Sequence, residues 1–180
     1  MIPLKIFNFN HMKTTGNILR IIALASVIMT FFSCNNIETR YTPEREAEIT
    51  EDFINSLINE DYDVDTTSMG VYYVITEEGE GDFVQPDDSI GIIYTGFFPE
   101  SGNIFDSSEY WYEDGIWKFI YLSTDLIQGF DDAISHLNTG AEGIFLIPSE
   151  LAYGKDGNFN GSIPPYSALV FNIKLVEIYE

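Results

Sequence analysis

The chain has one cysteine, Cys34, and two histidines, His11 and His136, in 180 residues. A single thiol excludes an intramolecular disulfide framework, and so few thiols and imidazoles set aside Cys/His zinc sites and His-dependent nucleophilic triads. Basic residues are also scarce: eight Lys and Arg stand against 29 Asp and Glu, a net charge of −21. So acidic a chain repels phosphate backbones, which argues against nucleic acid as a partner. Long hydrophobic runs are missing as well. The apolar stretch Ile21–Phe32 has twelve residues, where a membrane-spanning helix needs roughly 20.

What is present begins with that stretch. Residues 1–33 hold Lys5, Lys13 and Arg20 and no acidic residue. A basic segment, a short apolar core and a small residue before a cleavage point have the order of a secretory signal peptide. Met12-Lys13 is a more natural start for it than Met1. Ser33-Cys34 closes the run and looks like a bacterial lipobox, in which the thiol receives a diacylglyceryl group and becomes the new N-terminus. Ordinary cleavage nearby, leaving a free thiol, is the alternative. Three of the eight basic residues lie in residues 1–33, so the remainder carries five against 29, net −24. Such a surface also repels anionic lipid, and attachment to a membrane then depends on the anchor at Cys34. The expected location is a bacterial cell envelope, lipid-anchored and facing the periplasm, with neither membrane preferred.

Residues 35–41 are polar and read as a tether. Thr42-Pro43-Glu44 is a helix start: a hydroxyl to cap, proline at the first helical position, acid in the first turn. Ala47, Phe53, Ile54, Leu57 and Ile58 recur at helical spacing, which predicts an amphipathic helix over Pro43–Asn59. Its apolar stripe can lie on the following domain or pair with a second copy. Asp61, Asp63 and Asp65 suggest a calcium loop, but Thr66 and Tyr72 stand where glycine and glutamate are needed, so a solvated acidic turn is expected. Gly79 and Gly81 form no dinucleotide loop, because Val84 occupies the third glycine position. From Gly70 onward strands dominate: Val71–Ile75, Ile90–Phe98, the alternating Trp117, Phe119 and Tyr121, and the alternating Leu169, Phe171, Ile173 and Leu175. Phe130, Ala133, Ile134 and Leu137 give a single helical stripe with Gly140 just beyond it; His136 falls on its polar side and is expected at the surface. The fold class predicted is α+β, an antiparallel, strongly twisted half-barrel sheet wrapped around one short central helix.

Glu150–Phe171 reads ELAYGKDGNFNGSIPPYSALVF. A turn with a tyrosine precedes a glycine-punctuated loop, an isoleucine before a double proline, and a strand with a phenylalanine. Ile93-Tyr94-Thr95-Gly96, Phe105-Asp106-Ser107-Ser108 and Leu126-Ile127-Gln128-Gly129-Phe130 precede it. In this order and spacing the four segments resemble the FKBP-type peptidyl-prolyl isomerases, over about residues 67–180. The domain plan is therefore a signal peptide over 1–33, lipidated cysteine, tether and amphipathic helix over 34–66, and an FKBP-like domain over 67–180.

The resemblance implies a pocket of Tyr94, Phe105, Asp106, Phe130, Tyr153 and Phe171 as catalytic residues, with Trp117, Leu126, Ile127 and Ile163 binding substrate. Phe130 is its floor, where many members have tryptophan, and Trp117 replaces a common phenylalanine. The stretch between Phe105 and Trp117 is about two residues longer than in compact members, and it lacks the arginine that often pairs with the aspartate. An apolar pocket suits the chemistry. Amide rotation costs roughly 18–20 kcal/mol because conjugation must break, and a dry aromatic site favours the less polar twisted amide. The resemblance assigns the Ile127 N–H and the Tyr153 hydroxyl to substrate carbonyls, and it implies no metal or cofactor. Implied partners are proline-containing unfolded or extended chains and macrolide inhibitors; self-association through the N-terminal helix is a further expectation. The implied activity is a prolyl isomerase assisting envelope-protein folding. A peptide-binding module with little turnover, or a structural envelope lipoprotein, are the alternatives, and Asp106 read alone is also compatible with a simple turn.

Overall fold

The computed structural model describes residues 41–179. The signal-peptide segment, Cys34 and the start of the tether lie outside the described residues.

Helix α1 spans Pro43–Asn59 and begins as the sequence predicts: the Thr42 hydroxyl accepts the Arg45 N–H at 3.2 Å, with Pro43 at the first helical position. Only part of its stripe is covered: Phe53, Ile54 and Leu57 turn inward, while Ala47 and Ile58 are exposed. Phe53 and Ile54 pack with Leu146, Ala168 and Val170, and the Phe53 ring meets Phe97 edge-on at 6.4 Å. The Glu46 carboxylate accepts both the N–H and the hydroxyl of Ser149, at 2.5 and 2.6 Å. Arg45 pairs with Glu48 and with Glu100.

Strands β1 (Asp65–Thr66), β2 (Tyr72–Glu77), β3 (Glu80–Phe83), β4 (Ser89–Phe97), β5 (Ile104–Ser107) and β6 (Trp117–Ile120) follow. Helix α2 (Gln128–Ile134) precedes β7 (Asn138–Thr139), β8 (Glu142–Ile147) and β9 (Leu169–Tyr179). The main sheet runs β1-β2-β8-β9-β4-β5, with β6 on the same edge of β4 as β5; β3 and β7 form a separate ribbon. Every pairing is antiparallel. The register slips between Gly91 and Ile92 and between Gly96 and Phe97, irregularities of the kind that bend a sheet.

The alternation read from the sequence separates two layers. Ile90, Ile92 and Tyr94 of β4, Phe145 and Ile147 of β8, and Leu169, Phe171, Ile173 and Leu175 of β9 face α2. Ile144, Leu146, Val170 and Phe97 point the other way, toward α1. The stripe Phe130, Ala133, Ile134 and Leu137 is fully buried between α2 and the sheet. Helix and sheet approach so closely that a Cβ on Gly129 would sit 2.3 Å from the Ile147 side chain, so this helix position admits only glycine. Two expectations need correction. The alternative reading of Asp106 as a simple turn residue does not hold, because Asp106 lies in strand β5 and pairs with Gly96 across the ladder. His136 is half-buried: its ring packs on Tyr73 at 5.1 Å, and Nδ1 lies 2.9 Å from the Asp132 carbonyl.

Candidate active site

Strand β4 carries Tyr94 at the point where its edge passes from β6 to β5. Neither strand reaches Tyr94, so its backbone would be left unpaired. Two buried hydroxyls fill the gap: the Tyr94 N–H donates to Ser108 Oγ at 3.0 Å, and Ser107 Oγ donates to the Tyr94 carbonyl at 3.2 Å. The pair Ser107-Ser108 thereby fixes the ring next to Asp106. Buried polar groups must find partners, which accounts for two serines in an otherwise apolar region.

Around Tyr94 the aromatic rings form a connected cluster. Its ring centroid lies 5.6 Å from Phe130, 5.8 Å from Trp117 and 6.3 Å from Phe171. Phe171 also meets Phe130 at 4.9 Å and Phe105 at 5.5 Å, both edge-to-face, the geometry that ring quadrupoles favour. Phe130, on α2, is buried at the bottom. The cluster lines a cavity of about 650 Å³.

All ten residues that the resemblance implied border this cavity: Tyr94, Phe105, Asp106, Trp117, Leu126, Ile127, Phe130, Tyr153, Ile163 and Phe171. They come from β4, β5, β6, the entry to α2, α2 itself, the segment after β8, its following loop, and β9. Ile127 is the extended residue capping α2, and its N–H donates to no backbone carbonyl among the described residues. Tyr153 follows the turn Ser149–Leu151 that Glu46 of α1 holds; it is 40% exposed. Its hydroxyl makes no hydrogen bond to another described residue. Burial raises its pKa, as does the nearby Asp106 charge. Burial raises the pKa of Tyr94 further, helped by its hydrogen bond to Asp106. Both phenols keep their protons at neutral pH, and Tyr94 donates its own to Asp106.

Asp106 is not left without partners by the missing arginine. Its Oδ2 accepts the Tyr94 hydroxyl at 2.9 Å. Its Oδ1 accepts the Ser107 N–H at 2.9 Å and the Trp111 indole N–H at 2.8 Å. All three donors are neutral. Trp111 is the main site residue that motif reading missed. It lies in the longer stretch between Phe105 and Trp117, where no resemblance guides the eye; the cue was the run Tyr110-Trp111-Tyr112 itself. Asp125, Gln128, Glu150, Asn158, Asn160 and Ser162 also border the cavity. Among the described residues no group of three or more His, Cys, Asp or Glu is placed to hold a metal ion.

Residues 80–176 match the model of the FKBP-type peptidyl-prolyl cis-trans isomerases, more than half of the chain. The chain belongs to this FKBP family. A probable FKBP-type peptidyl-prolyl cis-trans isomerase of Haemophilus influenzae is 34% identical over 117 residues, covering 64% of this chain and 46% of that protein. The probable isomerase FkpA of Neisseria meningitidis serogroup B is 36% identical over 115 residues, covering 64% and 40%. Among solved FKBP structures, FkpA from Escherichia coli superposes with a TM-score of 0.65 at 25% identity, over 92% of this chain and 73% of that one. AtFKBP13 gives a TM-score of 0.57 at 28% identity, over 65% and 99%. The chain spans about half the length of the curated FKBP relatives it matches.

Proposed function

We propose that this chain is a peptidyl-prolyl cis-trans isomerase acting on proline-containing unfolded or extended polypeptides. The observation that carries the reading is the convergence of ten residues from separate segments on one aromatic-floored cavity. The Xaa–Pro bond is the one peptide bond with both isomers well populated. A proline ring seated against Phe130, between Tyr94, Phe105 and Phe171, leaves water behind. Twisting the amide shrinks its dipole, so a dry aromatic wall stabilises the twisted state relative to the planar one. The Tyr153 hydroxyl and the Ile127 N–H, both without partners among the described residues, hold substrate carbonyls on either side of the bond. Trp117, Leu126 and Ile163 contact the flanking side chains. Asp106 keeps the Tyr94 ring in place and faces the twisting amide. Each tenfold of acceleration requires about 1.4 kcal/mol of differential stabilisation, so a few such contacts suffice. The same cavity is of a size to admit macrolide inhibitors. A proline-limited refolding assay tests the reading: catalysis of the slow phase supports it, and an unchanged slow phase with retained peptide binding favours the non-catalytic module.

The setting is proposed to be a bacterial envelope, with residues 1–33 removed and Cys34 lipidated. The support is the charge and apolar pattern of the sequence. Cys34→Ala should shift the protein from the membrane fraction to unprocessed precursor; a soluble wild-type protein with a free thiol contradicts the anchor. Self-association through α1 is not favoured, because Phe53 and Ile54 pack on the chain's own sheet. A monomeric size in solution is the expected outcome.

A further inference from the structure

The Asp106 carboxylate is held by three neutral donors, and one of them comes from a side chain with an unusual setting. Trp111 is 71% exposed, yet the one donor of its side chain is committed to Asp106 Oδ1 at 2.8 Å and the residue borders the cavity. An exposed side chain is normally free to change rotamer. Here the backbone that carries it is pinned. Buried Ser108 accepts through its carbonyl the N–H groups of both Trp111 and Tyr112, at 3.1 and 3.0 Å. The preceding turn, Ser108–Tyr110, is capped by the Ser107 hydroxyl. The serine pair that fixes Tyr94 thus also fixes the base of the indole. Asp106 and Tyr94 are reached from both sides by one hydrogen-bonded unit.

We propose that Trp111 is a positioning residue of the isomerase site: its indole N–H sets the orientation of the Asp106 carboxylate, so that the other oxygen receives the Tyr94 hydroxyl. The proposal rests on the isomerase reading above. Without Trp111, the Tyr94 bond and the Ser107 amide still anchor the carboxylate, but nothing restrains it from the solvent side. With it, Asp106 is oriented without being neutralised, because a donor such as an indole carries no charge. Among the described residues no Lys or Arg borders the cavity, so no cation is set against the carboxylate. The stretch between Phe105 and Trp117 delivers this indole.

The test uses the full chain and two readouts. The protein contains two tryptophans, so its ¹H–¹⁵N spectrum holds two indole resonances, and Trp111→Phe assigns one by deletion. Asp106→Asn should move the Trp111 resonance clearly while leaving that of Trp117 near its place. For activity, Trp111→Phe keeps a ring and removes the N–H. It should lower kcat on an Xaa–Pro peptide by about 3- to 10-fold, the range a single net hydrogen bond carries, with KM and melting temperature changed little. Trp111→Arg, which restores an N–H donor, should recover part of the loss, whereas Trp111→Ala should not. An indole resonance indifferent to Asp106→Asn, or a Trp111→Phe variant with wild-type kcat, overturns the positioning role alone. A wild-type chain that turns over no Xaa–Pro peptide overturns the isomerase reading and the role together, even where the resonance still reports the bond.

Discussion

Gly96 lies in β4 beneath two walls of the cavity. A methyl group built on it would sit 2.6 Å from Phe105 Cζ and 2.8 Å from Phe171 Cε1. Ordinary contact begins near 3.4 Å, so Gly96→Ala requires one or both rings to retreat by 0.6–0.8 Å. Phe171 has nowhere to go: Phe130 closes its far side at 4.9 Å, and the ring is only 6% exposed. Overpacking of this kind costs about 1–3 kcal/mol, offset by about 0.5–1 kcal/mol from replacing glycine inside a strand. A net loss of about 1–2 kcal/mol should lower the melting midpoint by roughly 3–8 °C. The displaced rings are the ones that would hold the proline, and misplacement approaching 1 Å can cost up to about 100-fold. We expect kcat/KM per folded molecule to fall by about tenfold. Thermal melts run beside isomerisation kinetics make the comparison. A variant that melts lower yet keeps full kcat/KM per folded molecule would show that Phe105 and Phe171 are core and not pocket walls. One that behaves as wild type in both would refute the close packing itself.

Other outcomes follow from the same geometry. Phe171→Ala should cost about 3–5 kcal/mol through the cavity it leaves, with activity falling alongside folding; Tyr153→Phe should melt as wild type and lose several-fold in kcat/KM. A Tyr153→Phe variant that melts many degrees lower with full activity per folded molecule removes Tyr153 from the site. Burial beside Asp131 and Asp132 pushes the Tyr121 pKa from its ordinary 10 up to about 12, with Tyr94 and Tyr153 also raised. Between those values the unfolded chain binds fewer protons than the folded one, so stability should fall as pH rises from 10 to 12; melts across that range check it, and Tyr121→Phe should flatten the slope. Among the described residues the cavity is lined by Asp106, Asp125 and Glu150 and by no basic residue. A peptide with lysine near its proline should therefore outperform its glutamate counterpart by about 3- to 10-fold at low salt, and the gap should close in roughly 0.5 M salt. Equal rates at all salt concentrations contradict that field.

Much of this was readable before any coordinate. The Thr42-Pro43 helix start, the α2 stripe and the alternation of β4 and β9 are local patterns with a single solution each. Nine of the ten cavity residues came from four ordered segments, and Trp117 from its place between two of them, rather than from periodicity, which sees only aromatics that feed a core. What escaped had physical reasons. Strand β8 is apolar on both faces, one toward α2 and one toward α1, so it shows no alternation. Strand β3 is acidic and exposed and reads as loop. The docking of α1 depends on pairings such as Glu46 with Ser149, 103 residues apart, which no local pattern encodes. Trp111 escaped for the same reason: its partner is chosen by the path of the segment after β5, and a tryptophan in a loop announces no partner.

The central claim is that the cavity turns Xaa–Pro bonds. Its most direct measurement is cis/trans exchange of a proline tetrapeptide followed by NMR, with the chain from Asn35 onward added at micromolar concentration. The account predicts marked acceleration, greatest with a bulky apolar residue before proline, where Trp117, Ile163 and Phe171 line the rim, and reduced in Gly96→Ala. Exchange no faster than in buffer, with the protein folded and the peptide bound, would contradict it.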